Sequence, residues 1–238
     1  SIYYMPRINT GNIRGRIINA NNSFSGTLND IMELVSDELP DGIYIRLFVS
    51  GTEENVLAGN LSETIPVATY RISGDLTIAN GDTAYLQPGT QFLFDGGVNF
   101  NIYGSLQAIG TETDSIIFDN FGDEKWKGFT LEQVSDETVF EYVRISGAEK
   151  SGPFHNSNEG GGMYLLSSNP TLTHVTIVNN TANYGGGMYL DSSNPTLTHV
   201  TITGNSAQNY GGGMCISSSN PTLTHVTISG NTANTSVG

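Results

Sequence analysis

The feature that most constrains the fold of this chain is a nine-residue segment, NPTLTHVTI, that occurs three times without a substitution. The copies occupy residues 169–177, 194–202 and 220–228, so equivalent positions are 25 and then 26 residues apart. The additional residue distinguishes the segment NSAQNY from its earlier counterpart NTANY, and both have the composition of a turn. A fixed period with length variation confined to turns is typical of a solenoid, in which each repeat packs on its neighbours.

Each repeat contains short segments in which apolar residues alternate with polar ones, which is the pattern of β-strands. Glycine triplets and asparagine-rich corners separate these segments. Because such strands are too short to enclose a core alone, they predict one coil of a helix of parallel strands, with neighbouring coils about 4.8 Å apart. The expected core columns are Leu172 with Leu197 and Leu223, Val175 with Val200 and Val226, and Ile177 with Ile202 and Ile228.

The segment SSNPTLTHVTIVNNTANYGGGMYL, residues 167–190, resembles the coils of right-handed parallel β-helix surface proteins. The polymorphic outer-membrane proteins and the passenger domains of bacterial adhesins contain similar coils, in which a Gly-Gly-apolar strand accompanies an N-x-A corner. The resemblance implies the pectin lyase-like fold, namely an all-β, right-handed parallel β-helix. We expect it to span residues 43–238 with about 25 residues per coil, and to be regular from about residue 160.

Residues 73–120 and 127–148 are similar to the degenerate coils that precede such regular arrays. In the second of these segments the apolar residues align with those of the repeat: Phe140 with Leu172, Val143 with Val175, Ile145 with Ile177, and Tyr142 with the corner residue His174. The core columns are therefore expected to continue upstream of the perfect repeats.

The N-terminal residues 1–42 have a different pattern and are expected to form a cap. In TLNDIMELVSDEL the apolar residues fall on one helical face, which predicts an amphipathic helix over about residues 28–39 that Pro40 and Gly42 end. Similar β-helix proteins cover the open end of the core with such a helix. A separate small domain within residues 1–65 is the alternative. Because the chain stops where the next GGGM segment is due, we also expect it to be a fragment of a longer protein.

The charge of the chain narrows the choice of partners. Twenty-three acidic residues against nine basic ones give a formal net charge of −14. Nucleic acid is excluded as an ordinary partner because its phosphates require clustered Lys and Arg, and an anionic polysaccharide would need a bridging cation. No apolar run is long enough for a transmembrane helix. The resemblance implies an extracellular or cell-surface location.

An enzyme of the same fold is the main alternative function. Polysaccharide lyases and glycoside hydrolases need a Lys or Arg base with carboxylates, or a carboxylate pair. No Lys or Arg follows Lys150, and Glu159 and Asp191 do not recur in the other repeats, so no catalytic residue is assigned in the regular coils. A lyase or hydrolase site could be assembled only from the charged residues between 112 and 150.

The sequence offers two candidate metal sites. The segment DNFGDE offers the oxygen ligands that Ca²⁺ prefers, from Asp119, Asp123 and Glu124, so calcium is a possible cofactor. A transition metal on the recurring histidines lacks a second recurring ligand. We therefore interpret the histidines as a structural ladder that is stacked at a corner: His174, His199 and His225.

Two further surfaces are candidates for binding. Thr171, Thr173 and Thr176 recur in every copy, and outward threonine columns resemble the surfaces of ice-binding solenoids. Exposed aromatic rings can stack on neutral sugars, and the candidates for such contacts are Tyr164, Tyr189, Tyr184, Tyr210 and Trp126. The sequence thus favours a non-enzymatic module that serves as a stalk, an adhesin or a surface for polysaccharides and host-cell glycans, with ice binding as a lower alternative.

Overall fold

The computed structural model describes residues 14–15, 31–35, 43–46, 55–152 and 158–234. These residues fall into two units, Ser1–Glu54 and Asn55–Gly238. Among the described residues no helix occurs, and every regular element is a β-strand.

The described strands of the first unit form an antiparallel sheet of β1 (Arg14–Gly15), β2 (Ile31–Val35) and β3 (Ile43–Arg46), in that order. The predicted amphipathic helix is therefore wrong for residues 31–35, which form the central strand. A short apolar run with β-branched residues at both ends suits a strand as well as a helix. Met32 pairs with Ile45 in β3, and this pairing provides hydrogen-bond partners for the backbone of β2. The segment is therefore a strand and not a helix.

The remainder of the predicted helix, residues 28–30 and 36–39, lies outside the described residues. Strand β3 was expected to begin the β-helix, whereas it pairs within the first unit. The first strand of the β-helix is β4 (Asn55–Asn60). The capping role of the N-terminal residues stays a prediction.

In the second unit the chain coils through three parallel faces, which we call face 1, face 2 and face 3. Four strands run round a corner and contribute to two faces. Strands β4 and β6 (Thr69–Ile78) pass from face 3 to face 1, and β13 (Val139–Ser146) and β16 (Thr171–Val178) pass from face 2 to face 3.

The other strands each belong to one face. Face 1 contains β9 (Phe100–Ile102), β12 (Phe129–Glu132), β15 (Met163–Leu166), β18 (Met188–Asp191) and β22 (Met214–Ser217). Face 2 contains β5 (Thr64–Ile65), β7 (Thr83–Leu86), β10 (Ser105–Ile109), β19 (Thr196–Thr198) and β23 (Thr222–Thr224). Face 3 contains β8 (Gln91–Phe94), β11 (Ile116–Asn120), β20 (Thr201–Thr203) and β24 (Thr227–Ser229).

A fourth, shorter parallel sheet follows face 3 in the later coils. It consists of β14 (Glu149–Lys150), β17 (Thr181–Tyr184), β21 (Ser206–Tyr210) and β25 (Thr232–Ala233). The register shifts between Ala182 and Tyr184 where β17 meets β21. The one-residue difference in repeat length is therefore absorbed here, at the predicted position, and the three main faces stay in register. The prediction of a turn is wrong, because both segments are strands that pair with each other, and the additional residue is accommodated by the shift in their register.

The predicted core columns are confirmed for the first two copies, whereas in the third copy Leu223 and Ile228 keep the register but are exposed. Leu172 pairs with Leu197, which pairs with Leu223, and Ile177, Ile202 and Ile228 pair in the same way. The upstream alignment is also confirmed, because Phe140, Val143 and Ile145 pair with Leu172, Val175 and Ile177. Side chains that point inward from the three faces form one continuous core.

The core changes its composition along the β-helix. In the earlier coils it is aromatic, with Phe94 and Trp126 stacked at 4.1 Å between ring centroids. The other aromatic members are Phe92, Phe100, Phe118, Phe129 and Phe140. In the later coils the same columns carry Met, Leu, Val and Ile, which pack as regular stacks because each coil repeats the one before.

A buried asparagine ladder forms the corner between face 3 and the fourth sheet. Asn180 accepts a hydrogen bond from the backbone N–H of Ala148 at 3.0 Å, and Asn205 accepts one from the N–H of Asn180 at 2.9 Å. Asn231 accepts the next from the N–H of Asn205, also at 2.9 Å. The side-chain amides donate to carbonyls of the preceding coil, as from Asn205 to Ile177 at 2.9 Å. Polar backbone groups at this corner are thereby paired without water.

A serine ladder forms the corner between face 1 and face 2. The backbone N–H of Ser168 donates to the Ser193 hydroxyl at 3.0 Å, and the N–H of Ser193 donates to the Ser219 hydroxyl at 2.8 Å. These serines are the second residues of the SSNP segments. Each ladder therefore arises because the repeat places the same side chain at the same corner in every coil.

Candidate functional site

The histidine column lies at the corner between face 2 and face 3. The ring centroids of His174 and His199 are 4.8 Å apart with an interplanar angle of 10°, and those of His199 and His225 are 4.7 Å apart at 5°. Tyr142 continues the stack, 4.5 Å from His174. The ladder is thus stacked as predicted, and its rings are exposed rather than partly buried.

Backbone conformation explains why the column occupies a corner. His174, His199 and His225 have φ values of +53°, +54° and +53°, which is the left-handed region that turns the chain from one face to the next. Histidine tolerates this region better than β-branched residues do. The planar rings of successive coils then lie above one another at nearly the spacing of the strands.

Lys150 is a buried cation that sequence reasoning left among the charged residues between 112 and 150. Its side chain is 2% exposed, and its Nζ donates hydrogen bonds to the carbonyl of Phe129 at 3.0 Å and to Thr130 Oγ1 at 2.9 Å. Burial lowers the pKa of Lys150 to about 7; the charge of Glu159 opposes the shift and that of Lys127 adds to it. Thr130 lies on β12, so the ammonium group belongs to the outer side of face 1.

Tyr164 lies beside this lysine, and the expectation of an exposed ring is wrong for it. The side chain is 2% exposed, and the ammonium of Lys150 lies 5.4 Å from the ring centroid. Burial and the charge of Glu159 raise the pKa of Tyr164 to about 12. The alternation of β15 does point Tyr164 away from the core, but residues 150 and 159 cover it, and a strand pattern alone does not show such a cover.

Tyr189 is the next residue in this column, with its ring 5.8 Å from that of Tyr164. It is half-buried, and burial raises its pKa, with Glu159 adding to the shift. Cys215 pairs with Tyr189 in the next coil, and burial also raises the pKa of its thiol.

Trp126 is also placed differently from the expectation of an exposed aromatic. Its side chain is fully buried, stacked on Phe94, and its Nε1 donates to the carbonyl of Ser146 at 2.8 Å. The two flanking lysines predict a surface position for this tryptophan. The aromatic core of the earlier coils nevertheless provides enough apolar area to bury it. Trp126 is therefore a core residue.

Tyr184 and Tyr210 form an aromatic pair on the fourth sheet. Their rings are 5.9 Å apart with an interplanar angle of 30°. Tyr184 is partly exposed and Tyr210 is 54% exposed. Glu159 takes the equivalent place in the preceding coil, where it forms a bridge with Tyr184, as the repeat alignment predicts. Of the tyrosines proposed for sugar contacts, this pair presents the largest ring surface.

The charged residues between 112 and 150 are divided between two faces. On face 1, around Lys150, the charges of Glu159, Asp191 and Glu132 contribute to the raised pKa of Tyr164. The ammonium group of Lys150 reaches face 1 from the fourth sheet, whereas Arg144 is exposed on face 3, where it pairs with Thr176. Asp119 accepts a hydrogen bond from the N–H of Asn120, and Asp123 and Glu124 are exposed in the following turn. In the described ranges, no three His, Cys, Asp or Glu side chains are placed to hold a metal ion.

The recurring threonines are in register. Thr171, Thr196 and Thr222 form one outward column on face 2, Thr173, Thr198 and Thr224 form a second, and Thr176, Thr201 and Thr227 form a third on face 3. The histidine corner separates the third column from the other two. Ice binding by these columns stays a prediction.

A groove that sequence reasoning missed lies at the corner between face 1 and face 2 in the earlier coils. Its volume is about 390 Å³, and it is lined by Thr77, Ala79, Asn80, Tyr103, Glu132 and Gln133. Tyr103 is 38% exposed. The signal in the sequence was the position of Tyr103 directly after the strand FNI, where alternation from the buried Ile102 directs it outward.

Comparison with known families agrees with this architecture. The family model of the right-handed β-helix region matches residues 75–237. The matched segment covers all of the regular coils and most of the second unit. The chain therefore belongs to the right-handed β-helix family.

One curated relative illustrates how local the similarity is. A stretch of 75 residues, 31% of this chain, is 33% identical to the protein bark beetle of Drosophila melanogaster. The match covers only 2% of the length of that relative. No solved structure gives a significant match to the chain. Within the part of the chain that the structure describes, none of the elements is a helix with the length and apolar character to cross a membrane.

Proposed function

We propose that this β-helix is a non-enzymatic module of an extracellular or cell-surface protein, and that it contacts neutral glycans through its exposed aromatic residues. The single observation that carries the proposal is the pair of Tyr184 and Tyr210, whose rings lie side by side and are accessible to solvent. An accessible ring offers a sugar an apolar surface, and the phenol hydroxyl offers a hydrogen bond at its edge. The stacked ladders and core columns supply a rigid support for these rings.

The lyase form of the enzyme alternative requires a lysine or arginine that can reach a substrate. Lys150 has a pKa near 7, which suits a base. Its Nζ, however, is buried, and its hydrogen bonds go to Phe129 and Thr130 of the neighbouring strand. The proposal therefore assigns Lys150 a structural role.

A glycan array followed by titration with the best neutral oligosaccharide tests the proposal. We expect Tyr210→Ala to weaken binding by about threefold to tenfold, because it removes an exposed stacking surface worth about 0.5–1.5 kcal/mol. Tyr85→Ala is the matched control, since Tyr85 is 50% exposed but lies on β7. Absence of binding to every glycan, or cleavage of any polysaccharide in the panel, would contradict the proposal.

A further inference from the structure

The groove at Tyr103 is built from three consecutive coils of the β-helix. Thr77 belongs to β6, Tyr103 follows β9, and Glu132 ends β12. Because these strands are neighbours in face 1, the lining residues extend about 10 Å along the axis of the coils. The groove is thus a product of the fold, although its residues are 55 positions apart in the chain, from 77 to 132.

Hydrogen bonds of the backbone hold the walls of the groove. The N–H of Tyr103 donates to the carbonyl of Ile78 at 2.9 Å, and the N–H of Gln133 donates to the carbonyl of Leu166 at 3.0 Å. Gly104 packs so closely that a Cβ atom there would lie 2.3 Å from the carbonyl oxygens of Ala79 and Asp82. The ring of Tyr103 is therefore carried by backbone that is fixed on both sides.

The lining combines an aromatic ring with groups that donate and accept hydrogen bonds. Asn80 and Gln133 each offer an amide, Thr77 offers a hydroxyl, and Glu132 offers a carboxylate. Asn80 and Gln133 are exposed, so their amides are open to a ligand. A pyranose has the complementary chemistry, because its C–H face stacks on an aromatic ring while its hydroxyls bond to amides and carboxylates.

We propose that this groove is a binding site for a neutral saccharide unit, with Tyr103 as the stacking platform and Asn80, Glu132 and Gln133 as hydrogen-bonding partners. The inference rests on the proposed glycan-binding function and assigns it a site that is separate from Tyr184 and Tyr210. A volume of about 390 Å³ is within the range of small-ligand sites.

Charge selects a neutral ligand over an acidic one. None of the lining residues is basic, Glu132 places a carboxylate in the wall, and the whole chain has a formal net charge of −14. A uronic acid at this place would be repelled without a compensating cation. An uncharged hexose unit meets no such penalty.

The experiment titrates the whole chain with three tetrasaccharides: cellotetraose, mannotetraose and tetragalacturonic acid. Binding is followed by isothermal titration calorimetry and by amide chemical shifts. We expect a neutral tetrasaccharide to bind and to shift the amides of Tyr103 and Gln133, and the acidic one not to bind. Tyr103→Ala should weaken binding about tenfold, whereas Tyr103→Phe and the control Tyr85→Ala should stay within about twofold. Thermal unfolding of each variant verifies that it is folded.

The outcomes separate this inference from the proposed function. If Tyr103→Ala is folded and binds as tightly as the parent chain while Tyr210→Ala loses affinity, the groove is not the site and the proposed function stands. If no saccharide in the panel or on the glycan array binds, both are wrong. Preferred binding of tetragalacturonic acid, or shifts confined to Tyr184 and Tyr210, also overturns the groove assignment.

Discussion

Lys150 carries an ammonium group that is removed from water and held by Phe129 and Thr130. Burial lowers its pKa from 10.5 to about 7 in the folded chain. The unfolded chain therefore binds a proton that the folded chain lacks between these two values. A buried lysine of this kind links the stability of the β-helix to pH.

This linkage gives a prediction with a definite sign. Below pH 7 the lysine is charged in both states, and the full cost of burying the charge is present. As the pH rises above 7, the free energy of unfolding should increase by about 1.4 kcal/mol per pH unit. Urea unfolding between about pH 6.5 and 8.5 measures the increase. The upper limit avoids the range above pH 10, in which ionisation of Tyr164 would lower the free energy of unfolding as the pH rises.

The matched variants of this experiment are Lys150→Met and Lys125→Met. Lys125 is an exposed lysine that directly precedes Trp126 in the sequence, and its Nζ donates to Asn120 at 3.3 Å. We expect Lys150→Met to abolish the slope and Lys125→Met to keep it. An equal slope in both variants would assign the pH dependence to another group.

Among the elements, the asparagine ladder joins successive coils by side-chain hydrogen bonds. Asn205 donates to Ile177 at 2.9 Å and to Asn231 at 3.0 Å, and it accepts from the backbone N–H of Asn180 at 2.9 Å. Its side chain is fully buried among these partners. Removal of the amide therefore leaves buried groups of two neighbouring coils without partners.

We expect Asn205→Ala to lower the free energy of unfolding by about 2–4 kcal/mol. The control is Asn194→Ala at the exposed SSNP corner, where the side chain accepts one hydrogen bond, from the N–H of Asn220 at 2.6 Å. That change should cost about 1 kcal/mol or less. Chemical denaturation measures both values, and similar losses in the two variants would show that the ladder has no special role.

The sequence predicts those elements whose pattern repeats. The columns of Leu172 and Ile177 follow from alternation and period, and the strand pairing confirms them. Burial of Val175 and Val200 in the core confirms the third column. Strand β2 was missed because an isolated, mostly apolar segment of five residues suits two periodicities and has no repeat to decide between them.

Contacts made by irregular segments could not be predicted either. Burial of Trp126 depends on the shape of the aromatic core, and burial of Tyr164 depends on coverage by residues around 150 and 159. The groove at Tyr103 is formed by residues from three coils that have no sequence repeat in common. Prediction of such features requires the register between neighbouring coils, and the register cannot be read from degenerate repeats.

For the second unit taken whole, each coil packs on its neighbours alone, so a complete coil is an exchangeable unit. Deletion of Ile177–Thr201 removes 25 residues and joins Thr176 to Ile202, which restores the sequence of one repeat. We expect this variant to fold with an unchanged circular dichroism spectrum per residue and a slightly lower unfolding midpoint.

The control deletion, Ile177–Val200, removes 24 residues and joins Thr176 to Thr201. It shifts Ile202 by one position within the face 3 strand, so that this side chain faces solvent instead of the core. We expect a large loss of stability or failure to fold. Equal stability of the two deletion variants would contradict the solenoid register described for face 3.

The direction of the asparagine ladder has a consequence for how the β-helix is assembled. The backbone N–H and side-chain amide of Asn180 are paired by Asn205, and those of Asn205 are paired by Asn231. Each corner is therefore completed by the coil that comes after it in the chain. During folding from the N-terminal side, the last coil formed presents two amide groups that await an acceptor, and these groups specify where the next asparagine docks. The corner thus fixes the position of each coil relative to the next through hydrogen bonds in both directions.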